Sequence, residues 1–253
     1  MVQRRVEPSG PGLGRRLRRV HLVTSAALVS ALLLGSQSVP AGASRAPGKV
    51  HAKAHAKAHA KKDLLVLADM PSGWKAEKGS SGGGNSNFPG AKQLASCIGV
   101  SSRLINSNPP EVDSPYFESS DGSLEVQDSV SIFGSAKVAR AELAAMANAK
   151  TPRCMTTIMN GAFKSKIAAS AGKGATLGTI TVTRAKPANF AKGATGLNIS
   201  LPITAQGQSL TVSISAVYYV KGALGQQIDF NSYGSPFPAL LSLALSSTAF
   251  HRL

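Results

Sequence analysis

The sequence predicts an α+β domain in which helices cover an antiparallel β-sheet. Four segments with strand character follow one another in the second half of the chain, separated by turn residues. In the third of them, Val212, Ile214, Ala216 and Tyr218 alternate with residues of the opposite face, which is typical of a sheet with one buried face. Helical patterns precede and follow these strands. We therefore expect one globular α+β domain over residues 63–253.

The elements of this domain can be placed in order from turn and periodicity signals. The first half is expected to hold a helix over 89–100, strands over 116–119 and 124–133, a helix over 135–150 and a helical segment from Pro152. The second half is expected to hold strands over 176–186, 195–205, 209–220 and 222–233 and a closing helix over 236–250.

Two of these elements have a predicted inner face. In the strand over 124–133 the apolar residues fall on even positions. The following helix begins at Ser135, a typical N-cap residue, and its inward side chains are predicted to be Val138, Leu143 and Met146.

The N-terminus has the three parts of an export signal. Arginines crowd the first 21 residues, an apolar stretch runs from Leu22 to Gly35, and Ala41-Gly42-Ala43 is a small-residue cleavage site. Residues 1–43 are thus a predicted signal peptide, with a retained anchor as the alternative. No cysteine precedes Cys97, so the secreted protein is expected to carry no lipid anchor and no membrane span after cleavage.

Positive charge is concentrated before the domain. The whole chain has a formal charge of +16, to which residues 1–43 contribute +5, residues 44–62 contribute +6 and residues 63–253 contribute +5. Because the domain itself is only mildly basic, the high isoelectric point does not indicate a nucleic-acid-binding protein.

A basic repeat of alanine, histidine and lysine over residues 51–62 forms the second part of the linker over residues 44–62. With only alanine available for packing, a short helix here would be marginal, so a disordered linker is predicted. Three interpretations stay open: a spacer, a loose tether to anionic cell-wall polymer or phospholipid, and a weak metal site. The tether would use Lys53, Lys57, Lys61 and Lys62, and the metal site would use His51, His55 and His59.

The chain contains two cysteines, Cys97 and Cys154, 57 residues apart. Export would place them in an oxidising compartment, so we predict a disulfide between them. The alternative is a pair of free thiols with one acting as a nucleophile, but no histidine lies nearby in sequence to activate it.

The domain offers little catalytic machinery, and no cofactor is predicted. Its one histidine is His251, near the C-terminus, and no hydrolase, zinc-protease or dinucleotide-binding motif is present. A carboxylate-dependent hydrolase or a calcium loop remains an alternative. Its acids would come from a cluster in sequence, namely Asp113, Glu118, Asp121, Glu125 and Asp128.

Four stretches of the domain carry a family resemblance. They are residues 65–74, which include Ala68-Asp69-Met70-Pro71-Ser72-Gly73-Trp74, residues 129–136, which lead into a helix, and the two cysteine-bearing segments. In these stretches the domain resembles a group of actinobacterial secreted proteins. The domain is similar to mycobacterial lipoproteins of unknown function and, more distantly, to the extracellular sensor domain of a mycobacterial serine/threonine kinase. The resemblance implies an antiparallel sheet between helices and ligand sensing at the envelope. This chain has neither a lipobox nor a kinase domain, and one cysteine pair where the sensor has two disulfides.

These observations predict a secreted, non-catalytic, sensor-like protein that binds a small or polymeric ligand at the cell envelope or outside the cell. The alternatives are the carboxylate-dependent hydrolase and an adhesin that acts through the basic repeat.

Overall fold

The computed structural model describes residues 56–77, 90–107, 109–164, 174–186, 190, 193–205 and 207–253. The predicted signal peptide over 1–43 and the first part of the basic linker, with His51, Lys53 and His55, lie outside the described residues.

The fold is built on a nine-stranded antiparallel sheet, so the α+β prediction is confirmed. The strand order is β1-β3-β4-β9-β8-β7-β5, while β2 also pairs with β4 and β6 also pairs with β7. The strands are β1 (Lys75–Glu77), β2 (Glu111–Asp113), β3 (Tyr116–Glu118), β4 (Leu124–Ile132), β5 (Thr176–Leu177), β6 (Thr181–Arg184), β7 (Thr195–Ala205), β8 (Gln208–Lys221) and β9 (Leu224–Tyr233).

Helices pack on both sides of this sheet. They are α1 (residues 56–63), α2 (Ala91–Ile98), α3 (Ser102–Ile105), α4 (Ala136–Ala147), α5 (Thr151–Ile158) and α6 (Ala239–Arg252). Side chains of successive strand residues point to opposite faces, so each helix contacts one set of alternate residues. We call these two sets face A and face B.

Face A packs against α2, α3, α4 and α5. Its apolar part comes from β7 and β8, where Leu197 pairs with Ala216 and Ile199 pairs with Ile214. Helices α2 and α5 are joined by the Cys97–Cys154 disulfide, with the two Cα atoms 6.0 Å apart. The predicted disulfide is therefore present.

Face B packs against α1 and α6. Its apolar part lies in the other half of the sheet, where Val126 of β4 pairs with Phe230 of β9. Leu245 and Ala249 of α6 cover these side chains. The two helical layers thus protect different halves of the sheet, and each face keeps a polar half.

The beginning of the domain differs from the sequence prediction. A disordered linker was expected up to residue 62, but residues 56–63 are helical and Ala60 is 0% exposed. Ala60 packs in the same cluster as Leu64, Leu65 and Leu245, so tertiary contacts supply the stability that a short isolated helix lacks.

The orientation of α4 also differs. Val138, expected to point inward, is exposed, and the buried positions are Ala139, Glu142, Ala145 and Met146. Ser135 does cap the helix, because its hydroxyl accepts a hydrogen bond from the backbone N–H of Val138. The rotation places a glutamate between the helix and the sheet.

Candidate functional site

The polar half of face A is formed by β2, β3, β4 and β9. Across β4 and β9, Gln127 lies opposite Asp229, Ser129 lies opposite Gln227, and these four side chains are buried. Polar residues fill positions that the alternating pattern would give to apolar ones, so this half of the face is not an ordinary core.

Carboxylates gather on this part of face A, which we call the acidic face. Strand β2 contributes two of them, strands β3, β4 and β9 contribute one each, and α4 contributes Glu142, which is only 7% exposed. Buried carboxylates cost stability unless they are compensated, which makes such a cluster a candidate site. The six carboxylates are those of Glu111, Asp113, Glu118, Glu125, Glu142 and Asp229.

The surroundings of these groups favour their protonated forms. Burial raises the pKa of Glu111 to about 8, and the neighbouring carboxylate of Asp113 adds to the rise. Burial likewise raises the pKa of Glu142 to about 7, although the hydroxyl of Ser107, which donates to Oε2 over 2.8 Å, opposes the shift. Burial also raises the pKa of Glu125. Near neutral pH some carboxyl groups of the acidic face therefore hold a proton while others are ionised.

A small cavity lies at one end of this face, between α4 and strands β8 and β9. Its volume is about 30 Å³, and its polar lining includes Glu142, Tyr218 and Gln227. A cavity of this size has room for a group as large as a water molecule. Phe133 closes part of the cavity, and the absence of a side chain at Gly225 leaves the space that its ring occupies.

Two atoms at this cavity lack hydrogen-bond partners in the described part of the chain. They are the hydroxyl of Tyr218 and Oε1 of Gln227, whose residues are 7% and 3% exposed. Nε2 of Gln227 donates to both carboxylate oxygens of Asp229 over 2.9 Å, which fixes the amide so that Oε1 is left as an acceptor. Buried polar groups are normally paired, so these two atoms distinguish this part of the acidic face from an ordinary core.

The structure separates the acids that are clustered in sequence. Asp113, Glu118 and Glu125 lie on the acidic face, as their alternation along β2, β3 and β4 requires. Asp121 instead stabilises the turn before β4, where it accepts hydrogen bonds from the hydroxyl of Ser119 over 2.7 Å and from the backbone N–H of Ser123 over 2.9 Å.

Asp128 has a different position again. Its side chain points to face B, is completely buried, and accepts hydrogen bonds from the backbone N–H of Leu65 over 2.8 Å and from Nε2 of Gln226. We assign Asp128 a structural role, because it ties the start of the domain to the centre of the sheet.

Sequence reasoning missed Glu111, Glu142 and Asp229. Glu142 could have been found, since it lies three residues after Ala139 and four before Met146 and thus on the buried stripe of α4. Asp229 stands in a strand whose neighbours on both sides are apolar, which gives no sign of its partners on β4.

The described part of the basic repeat is the outer surface of α1. Lys57, His59, Lys61 and Lys62 are all exposed there, while Ala60 faces the core. Within the described residues, no group of three or more histidine, cysteine, aspartate and glutamate side chains is placed to hold a metal ion. The helices of the described residues are all too short or too polar to cross a membrane.

Comparisons with known proteins give one solved structure. No family model matches the chain, and no curated protein matches it. The extracellular domain of PknH from Mycobacterium tuberculosis is similar at 8% sequence identity and a TM-score of 0.31, and the match covers 63% of this chain and 91% of that chain. The family resemblance seen in the sequence thus stays a prediction.

Proposed function

We propose that this protein is a non-catalytic, extracellular binding protein whose acidic face takes an organic cation through a primary ammonium group. The observation that carries the proposal is the cavity lined by Glu142, Tyr218 and Gln227, together with the unpaired hydroxyl of Tyr218 and the unpaired Oε1 of Gln227. Placement outside the cell rests on the export signal expected over residues 1–43 and on the disulfide, which persists in oxidising compartments.

The chemistry of the cavity suits an ammonium group. Such a group has three donors and no acceptor. Glu142 and Gln227 offer oxygen acceptors, and the phenol oxygen of Tyr218 offers a third. An ammonium group is about the size of a water molecule and so fits the volume of about 30 Å³. Asp113, the exposed carboxylate of the acidic face, would attract further positive charge on the same ligand.

Binding can be measured calorimetrically with 1,6-diaminohexane as the probe and 1,6-hexanediol as its neutral counterpart. We expect the diamine to bind and the diol not to bind. Glu142→Gln should weaken diamine binding by about 10- to 100-fold, because a hydrogen bond to a charged group contributes about 1.5–3 kcal/mol. Tyr218→Phe should weaken it less. Glu77→Gln, at an exposed position of β1, is the matched control and should leave affinity unchanged.

The pH dependence provides a second readout of the same site. The ammonium group favours ionised Glu142, whose pKa is about 7 in the free protein, so binding releases a proton and affinity should rise from about pH 6 to pH 8. Glu111, Asp229 and Tyr218 also face Glu142, so some of this dependence will survive in Glu142→Gln. Equal binding of the diol, or unchanged diamine affinity in Glu142→Gln, would contradict the proposal.

A carboxylate-dependent hydrolase is the second candidate, and one observation favours it. Glu111, with a pKa of about 8, stands two residues from Asp113 on the same face of β2, so one carboxyl could donate a proton while another stays ionised. Mass spectrometry of the calorimetry samples separates the two functions. Conversion of a bound compound that stops in Glu111→Gln, with diamine binding intact, would establish the enzyme instead.

An adhesin acting through the basic repeat is tested independently. If the repeat is a tether, retention of the protein on purified anionic cell-wall polymer should weaken between about 0.05 and 0.5 M salt and strengthen from about pH 7.5 to 5.5 as His51 and His55 gain charge. Replacing Lys53, Lys57, Lys61 and Lys62 by glutamine should remove most of the retention and keep Ala60 in the core. Equal retention of the two proteins would show that the repeat is only a spacer.

A further inference from the structure

A second and larger cavity lies on face B, on the opposite side of the sheet from the acidic face. It has a volume of about 240 Å³ and is bounded by strands β6–β9 and by the chain that leads into α6. We call it the hydroxyl groove. In this half of the sheet, polar residues on face B would by default simply face solvent. The concave shape and the wall before α6 distinguish the groove from such a surface.

Hydroxyl side chains cross the floor of the groove in a row. Thr181 of β6 pairs with Ser200 of β7, Ser200 pairs with Ser213 of β8, and Ser213 pairs with Ser232 of β9. Neighbouring strands are about 4.8 Å apart, so Thr181, Ser200 and Ser213 present three hydroxyl groups at regular intervals, while Ser232 is buried at the end of the row. Each hydroxyl can both donate and accept a hydrogen bond.

A parallel row lies one step along the strands. Here Thr183 pairs with Asn198, and Asn198 pairs with Ser215. The hydroxyl of Ser215 donates to Oδ1 of Asn198 over 2.6 Å, which fixes the amide and directs its Nδ2 donors away from that contact. The floor therefore offers both donors and acceptors in fixed positions.

One side of the groove is apolar. Phe237 is half-buried there and packs on the buried ring of Phe230, with the two ring centroids 5.0 Å apart. Among the described lining residues there is no charged side chain. This lining favours a neutral ligand that hydrogen-bonds along one surface and offers C–H groups along another.

Ser232 lies beneath the surface of the groove. It is 0% exposed, and its hydroxyl has no hydrogen-bond partner in the part of the chain that the structure describes. The part of the row that a ligand can reach therefore ends at Ser213, the strand neighbour of Ser232.

From these features we infer that the hydroxyl groove binds a neutral carbohydrate, with sugar hydroxyls on the rows of Ser, Thr and Asn side chains and the apolar side of a sugar ring against Phe237. The groove has room for one ring or for one residue of a longer glycan. This site does not depend on the proposed ammonium site, because it lies on the other face of the sheet and uses none of its residues.

The test uses the mature full-length protein and trisaccharides of glucose, mannose, galactose and N-acetylglucosamine, followed by ligand-observed NMR. At least one of them should bind with a Kd of about 1 mM or tighter. The double variant Ser200→Ala/Ser213→Ala should weaken this binding about 10-fold or more, since each lost hydrogen bond contributes about 0.5–1.5 kcal/mol. Ser213→Phe should block the groove and abolish binding.

Controls keep the result unambiguous. Ser209→Ala removes a hydroxyl from β8 outside the groove, so it should bind like the unaltered protein, and thermal unfolding should show that every variant is folded. Glu142→Gln and an excess of 1,6-diaminohexane should leave glycan binding unchanged, which separates this site from the acidic face. The inference is overturned if none of the four trisaccharides binds, or if Ser213→Phe, while folded, binds as well as the unaltered protein.

Discussion

Breaking the disulfide between Cys97 and Cys154 should lower the free energy of unfolding by about 4 kcal/mol, because the bond closes a loop of 57 residues in the unfolded chain. In a domain of this size that loss corresponds to a fall in Tm of about 10 °C. Chemical unfolding with and without reductant, and of the Cys97→Ser variant, measures it.

The two cysteines provide their own control. Either serine variant opens the same loop, so Cys97→Ser and Cys154→Ser should lose the same entropic contribution. Cys154→Ser should lose somewhat more, because Cys154 is buried in the cluster under face A whereas Cys97 is exposed. Peptide mapping of the protein purified without reductant should find Cys97 linked to Cys154. Recovery of both as free thiols would refute the bond.

Local patterns predicted the strands well, because their signal lies within each segment. The strands expected over 195–205 and 222–233 correspond to β7 (Thr195–Ala205) and β9 (Leu224–Tyr233). The segment over 176–186 instead forms two short strands, β5 and β6, which pair with different parts of β7.

Contacts between segments that are distant in the sequence could not be predicted from local patterns. The pairing of β4 with β9 joins Gln127 to Asp229, about a hundred residues later, and no turn signal connects them. The acidic face depends on this pairing and on the rotation of α4 that turns Glu142 inward, so Asp113, Glu118 and Glu125 could be named from the sequence but their partners on α4 and β9 could not. The row from Thr181 to Ser232 likewise needs the register of four strands.

The same limit explains the contrast between Asp121 and Asp128. Seven residues apart, both appear in sequence as polar positions near a strand, yet one accepts hydrogen bonds in an exposed turn and the other lies inside the core under face B. Their difference is set by Leu65, whose N–H meets Asp128 from 63 residues away.

Asp128 carries the second large prediction, which concerns stability against pH. Burial raises the pKa of Asp128 from 3.8 to about 7, against the opposing effect of the hydrogen bonds from Leu65 and Gln226. Between these two values the folded protein holds a proton that the unfolded chain has released. Stability from this group is therefore complete below about pH 4 and is lost as pH rises to about 7, by about 1.4 kcal/mol per pKa unit, or about 4 kcal/mol in total.

Two substitutions separate the charge of Asp128 from its hydrogen bonds. In Asp128→Asn the new Oδ1 can accept from the N–H of Leu65, and a rotation of the Gln226 amide lets its Oε1, which has no partner in the described structure, accept from the new Nδ2. At pH 8 this variant should be at least as stable as the unaltered protein. At pH 5 its stability relative to the unaltered protein should be lower than at pH 8. Its free energy of unfolding should lose the share of the pH dependence that Asp128 contributes. Asp128→Ala leaves the buried donors of Leu65 and Gln226 unpaired and should lose about 3 kcal/mol at pH 5. Urea unfolding from pH 5 to 8 measures all three proteins, with Glu77→Gln as the surface control. A slope against pH that is the same in Asp128→Asn and the unaltered protein would show that Asp128 is already ionised in the folded state.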